Sequence, residues 1–205
     1  MYKEYQYQET LNLSMNNYYE NKIPEELTNT LCNITSDKNF DWYYNKSTLG
    51  SNFISSVSNI EDSCQLVHVF FNKFRTINQD PFAEKALMLL PYIQKSLNIE
   101  IKSINRIKGN LLFNKTDWTK EKYHPPHYDE ITDNFISVIY YVHDSDGDTI
   151  LFDKSYPEEP LNLKEITRFT PKGGAFSVFK SNQYHSSCSP ILFDKRTIIN
   201  YVLEI

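Results

Sequence analysis

Residues 124–153 read HPPHYDEITDNFISVIYYVHDSDGDTILFD, and the spacing inside this stretch decides the fold. His127 and Asp129 stand two apart, and in an extended strand residues i and i+2 face the same way. A strand at His127-Tyr128-Asp129 therefore presents an imidazole and a carboxylate to one small volume. One more histidine completes two imidazoles and a carboxylate on a single face of a metal, with positions left open. That ligand set suits non-haem Fe(II). His185, in FKSNQYHSSCSP (179–190), supplies it, and Arg196 opens the strand-like tail RTIINYVLEI (196–205) beyond. HPPH offers a rival ligand in His124. Because Pro125 and Pro126 intervene, only His127 shares a strand face with Asp129, so His127 is assigned and His124 is expected at the rim or in a second layer.

Working outward, FISVIYYV (135–142) alternates, with Ser137, Ile139 and Tyr141 on one face. Ser145-Asp146-Gly147-Asp148 reads as a turn, with Gly147 accepting positive φ, and TILFD returns from Thr149 as a strand. LKEITRFTP (163–171) and GGAFSVFK (173–180) read as a further antiparallel pair, followed by the tail strand. Counted inward from Arg196, Ile198, Asn200 and Val202 share its face, and a polar Asn200 there needs a partner. Many short strands of this kind predict a mainly β fold with flanking helices.

The same residues carry a resemblance. IYYVHDSDGDT (139–149) looks like the IYYLN and GGET segments of the 2-oxoglutarate- and Fe(II)-dependent dioxygenases, prolyl 4-hydroxylase-like branch, run close together. PKGGAFSVFKSNQYHSSCSP (171–190) is similar to that branch's stretch leading to its distal histidine. The resemblance spans Ile104 to Ile205, and it implies a double-stranded β-helix, or jelly-roll, core. It implies His127, Asp129 and His185 as iron ligands, and 2-oxoglutarate and O₂ as cosubstrates, with ascorbate as a stimulant. The 5-carboxylate of 2-oxoglutarate would meet the planar donor of Arg196, with hydroxyls from Tyr141 and Thr149. Asn110, where the family usually has tyrosine, and Asn200 are further candidates for that pocket. Relatives that halogenate replace the carboxylate with a small residue. Asp129 is retained, which implies hydroxylation, with succinate and CO₂ as coproducts. The branch points to a protein or peptide side chain such as proline; a free amino acid or other small molecule is the second enzymatic option. A barrel that binds without turnover is the third, and a zinc hydrolase would leave Arg196 and IYY without purpose.

Composition fits a globular domain. Hydrophobic residues make up 40% of the 205, and 15 Tyr and 13 Phe against 5 Gly favour β structure. A net charge of −5 without a basic run disfavours nucleic acid as a partner. Three cysteines without CxxC spacing suggest a reducing, cytoplasmic setting, and no apolar run is long enough to span a membrane. One domain over 1–205 is expected, with 1–98 as arm, strands and supporting helix and 99–205 as the metal-binding core.

Taken from the start, residues 1 to about 30 read as a surface-wrapping arm with short apolar contacts such as Leu11 and Leu13, rather than a substrate flap. A helix starts near Ile23-Pro24-Glu25-Glu26-Leu27, with Pro24 in its first turn. A short aromatic strand near Trp42 precedes a loop at Gly50. CQLVHVFFNKF (64–74) is a strand whose His68 reads as a satisfied core residue. FAEKALMLLPYIQKSL (82–97) is a helix that Pro91 kinks or restarts. IEIKSINRIKGNLLF (99–113) is a strand or strand pair. The polar loop 115–126, with Trp118, Tyr123 and His124, is expected at the substrate rim.

Overall fold

Two long strands, β4 (Ser103–Phe113) and β10 (Lys195–Glu204), run antiparallel through the middle of a seven-stranded sheet. The structure is a computed structural model describing residues 17–48, 60–74 and 80–205. Leu11, Leu13 and the Gly50 loop lie outside these. The sheet is completed by β1 (Asn17–Tyr19), β2 (Tyr43–Asn45), β3 (Gln65–Asn72), β5 (Phe135–Tyr141) and β8 (Phe176–Lys180), in the order β1-β8-β5-β10-β4-β3-β2. A three-stranded sheet, β7-β6-β9, is built from β6 (Thr149–Ser155), β7 (Glu165–Phe169) and β9 (Gln183–Ser187). LKEITRFTP and GGAFSVFK thus fall in different sheets: β7 pairs with β6, and β8 with β5 and β1. IEIKSINRIKGNLLF forms one strand, not two.

Alternation sorts the side chains into layers. From β5, Ile136, Val138 and Tyr140 join Ile107, Val178, Ile199, Tyr201 and Leu203 in the larger core, covered by three helices. Ile139 and Tyr141 point the other way and pack with Leu151, Phe169, Phe179 and Ile198 between the two sheets. A third cluster, Ile150, Phe152, Tyr184 and Cys188, lies on the far side of the small sheet under Trp118.

The helices follow their apolar spacing. In α1 (Glu25–Ser36), Leu27, Leu31 and Thr35 recur every fourth residue and are buried, and Glu25 and Glu26 occupy the first turn, where the helix dipole favours acids. Pro24 caps it from just outside. The expected kinked helix is two short ones, α2 (Ala83–Leu87) and α3 (Leu90–Leu97), with Pro91 in the first turn of α3, where its missing N–H costs nothing. Ahead of α1, Tyr19 stacks on Phe176 and Tyr18 on Phe169, so the arm's described end is a packed edge strand. No helix among the described residues is long and apolar enough to cross a membrane.

Candidate metal centre between the two sheets

The HxD segment is not a strand. His127 makes a single antiparallel bridge, to His185, through two backbone hydrogen bonds of 2.9 and 2.8 Å. Pro125 and Pro126 cause this, since neither can donate to a ladder. The chain nevertheless stays extended. His124 N–H bonds Ser187 O and Asp129 N–H bonds Ser181 O, on either side of the bridge. Period two survives without a strand: Tyr128 faces away, against Tyr156 and Tyr184, while His127 and Asp129 face the inter-sheet cavity.

The backbone bridge brings the two imidazoles together, with ring centroids 4.4 Å apart. One ligand atom each from His127, Asp129 and His185 lies within 4.8 Å of the others. His185 Nδ1 is 3.0 Å from Gln183 O and His127 Nδ1 is 3.4 Å from Pro125 O. A carbonyl only accepts, so each Nδ1 carries the proton and each Nε2 keeps its lone pair. Burial pushes both imidazoles down, His127 to about 3, so both are neutral near pH 7. Asp129 is held the other way. Burial alone would raise its pKa, but Arg106 and the two histidines keep it well below the usual carboxylate range.

Asp129 is positioned by three side chains. Arg106 Nη2 donates to Oδ1 at 2.6 Å, Ser137 Oγ to Oδ2 at 2.6 Å, and Asn200 Nδ2 to both oxygens at 3.2 and 3.0 Å. Asn200 therefore meets its polar partner in Asp129, and its own Oδ1 is buried without one among the described residues. Two neutral imidazoles and one ionised carboxylate, converging with their outer atoms tied back, fit a divalent iron.

Further along the same face lies the cation. Arg196 is 3% exposed, its Nε donates to Gly147 O at 2.6 Å, and its Nη2 donates to Thr149 Oγ1 at 2.8 Å. Tyr141 OH donates to the same Thr149 oxygen at 3.0 Å and meets Ser177 Oγ at 2.9 Å. Arg196 makes no ion pair with Asp194. Gly147 is not at positive φ, contrary to the turn expectation; a Cβ there would lie 2.6 Å from Cys188 O and 2.9 Å from Arg196 Cδ. The glycine is required by close approach to the arginine.

Arg196, Ile198 and Asn200 line one cavity with Thr149, Asn110, His127, Asp129 and His185, whereas Val202, expected on this face, belongs to no part of its wall. Asn110 Nδ2 donates to Gln65 Oε1 at 2.6 Å, and its Oδ1 is a buried oxygen without a partner among the described residues. Two cations were missed in the sequence reading. Arg106 and Lys108 continue the alternation that Asn110 and Leu112 begin, and Lys108 lines the cavity. Burial and the nearby Arg106 push the Lys108 ammonium down to about 8.

The loop 115–126 does not form the rim. Trp118 is 4% exposed and His124 1%, their rings 4.5 Å apart on the outer side of the small sheet. His124 Nδ1 is 3.0 Å from Glu61 O and Nε2 3.1 Å from Ser189 Oγ, so neither nitrogen is open. His68 is likewise engaged on both sides, by Asp41 O and Asp80 Oδ2. Cys188 is a free buried thiol whose pKa burial raises to about 11.

No family model matches the sequence, and no curated protein matches it. Solved structures do. A 2OG-Fe(II) oxygenase family oxidoreductase from Burkholderia pseudomallei is similar over 92% of this chain and 85% of its own, at TM-score 0.62 and 12% identity. A Pseudomonas putida prolyl-4-hydroxylase is similar over 93% and 92%, at TM-score 0.53 and 12% identity. A prolyl hydroxylase from Trichoplax adhaerens, in complex with a hypoxia inducible factor peptide fragment, is similar over 95% and 86%, at TM-score 0.51 and 15% identity. The fold is one that 2OG-Fe(II) oxygenases share.

Proposed function

We propose that this chain is an Fe(II)- and 2-oxoglutarate-dependent oxygenase that hydroxylates an unactivated C–H, on a protein or peptide side chain such as proline. The two sheets would be the halves of a double-stranded β-helix, in one domain where 99–205 carry the centre and 1–98 support it. The observation that carries this reading is the convergence of His127, Asp129 and His185 within 4.8 Å, in a cavity that also contains Arg196. Bound iron would activate O₂, with 2-oxoglutarate as the reductant that leaves as succinate and CO₂.

The chain's own residues supply position and electrostatics. Bonds from Nδ1 to Gln183 O and Pro125 O orient the rings of His185 and His127. Ser137 and Asn200 hold the plane of Asp129. Arg196, fixed by Gly147 O and Thr149, would offer its remaining guanidinium edge to the distal carboxylate of 2-oxoglutarate, with Tyr141 beside it. Asn110 has an unspent oxygen in the same wall. A non-catalytic barrel has no use for neutral imidazoles, an ionised carboxylate and a buried arginine kept together, because each is costly to bury. A peptide substrate is supported by the branch resembled and by the peptide complex of the Trichoplax neighbour. Three free cysteines support a reducing, cytoplasmic setting.

The test is Fe(II)-dependent conversion of 2-oxoglutarate to succinate. Slow formation is expected without substrate, lost in Asp129→Ala and accelerated by the substrate. A protein that binds Fe(II) and 2-oxoglutarate yet forms no succinate, with any peptide or amino acid offered, would make the binding module the better reading.

A further inference from the structure

The walls of this cavity are unbalanced in charge. Among the described residues Asp129 is its one carboxylate, whereas Lys108 and Arg196 line it and Arg106 reaches into it to bond Asp129. On the oxygenase reading, the two positive charges of ferrous iron and the two negative charges of 2-oxoglutarate cancel, so the excess of side-chain cations remains. Arg106 has Asp129 as its partner. Arg196 has the distal carboxylate. The Lys108 ammonium has no hydrogen bond or ion pair with any described residue, although it faces the same cavity as the three ligands. An unpaired ammonium in a low-dielectric wall is unfavourable, and an incoming anion relieves it.

Register separates Lys108 from the 2-oxoglutarate end. Lys108 pairs with Asn200, which touches Asp129, while Arg196 pairs with Leu112. Four residues of strand, roughly 13 Å of backbone, therefore lie between the two levels. Lys108 stands beside the metal ligands, and Arg106 lies one step further out on the same face. The Arg106 side chain is 27% exposed against 3% for Asp129, so it sits where the cavity meets solvent. On a chain of net charge −5, this is a local positive entry into the centre.

We propose that the substrate carries a carboxylate, or an equivalent anionic group, that seats on the Lys108 ammonium beside Arg106 while the reacting C–H faces the metal. The inference rests on the oxygenase reading and adds a substrate class to it. The carboxylate belongs either to a free amino acid or to an acidic residue of a peptide, and the two are separated by the choice of probes.

The probes are free amino acids with their amides, and end-blocked peptides that carry Glu or Gln next to proline. Two readouts apply: acceleration of succinate formation, and calorimetric binding to the Mn(II)- and 2-oxoglutarate-loaded protein, which needs no turnover. Binding and acceleration are expected from the anionic member of one set and not from its neutral counterpart. Lys108→Met should raise KM for that member by roughly tenfold or more, with Mn(II) and 2-oxoglutarate affinities retained, and Lys108→Arg should restore most of the loss. The proposal is overturned if neutral members serve equally well or if no anionic member binds the loaded protein. It is also overturned if Lys108→Met leaves KM unchanged or weakens 2-oxoglutarate instead. A parent protein that binds neither Mn(II) nor 2-oxoglutarate would be a different result and would remove the oxygenase reading as well.

Discussion

His124 and His127 flank one Pro-Pro pair, and the fold uses them in opposite ways. Around His124 both ring nitrogens are spent, on Glu61 O and Ser189 Oγ, and the ring packs on Trp118. Around His127 only Nδ1 is bonded, and the same holds for His185 across the bridge. His124 and His185 are both buried, so burial does not distinguish a ligand from a core residue. An Nε2 left open toward a carboxylate does. His185 Nε2 lies 3.6 Å from Asp129 Oδ2, a gap too long for a good hydrogen bond and suited to a shared ion.

The largest expected effect breaks the comparison at its strong end. His185→Ala or His127→Ala should weaken Mn(II) by roughly a hundredfold or more, because a ligand lost from a set of three is not replaced locally. His124→Ala should leave Mn(II) affinity unchanged and cost about 2–4 kcal/mol of stability, from lost packing and two lost hydrogen bonds. Calorimetric Mn(II) titration and urea unfolding of the variants measure both. Equal loss of metal in His124→Ala would erase the distinction.

Next in size is the cation. Arg196→Ala should weaken 2-oxoglutarate by about 2–5 kcal/mol, since a buried carboxylate would lose its charged partner. Tyr141→Phe removes one neutral donor and should cost about 1 kcal/mol. Titration of 2-oxoglutarate into the Mn(II)-loaded variants reads both. An unchanged affinity in Arg196→Ala would mean that another cation holds the distal carboxylate.

The smallest effect sharpens the His124 side. Burial pushes this imidazole from its ordinary 6.5 down to about 4, against a weaker upward pull from Glu61 O. The folded state thus binds fewer protons than the unfolded chain between these values, so stability rises with pH across the window. The contribution is complete above about pH 6.5 and is lost as pH falls toward 4. His124→Gln should make the acid limb of a urea-midpoint profile shallower, and an unaltered limb would assign it to other groups.

Much of the site was legible because period two is a strong rule. It groups His127 with Asp129, Ser137 with Tyr141, and Arg196 with Asn200 from the sequence alone. The rule failed where chemistry outside the pattern intervened. Proline pairs forbid a ladder, so the HxD strand became a single bridge. His124 was misplaced because Glu61 and Ser189, which bury it, are remote in sequence. Arg106 and Lys108 were passed over because charged residues on a strand usually face water, although counting back from Asn110 puts them inside. Gly147 was assigned a backbone role, whereas crowding by Cys188 O and Arg196 is the constraint.

The most direct test of the central claim is to locate the metal. An anomalous-scattering map from crystals of the Mn(II)-loaded protein should show a peak bounded by His127 Nε2, His185 Nε2 and the Asp129 carboxylate, with His124 and His68 keeping their present partners. A peak at either of those two histidines, or none between the three ligands at saturating Mn(II), would contradict it.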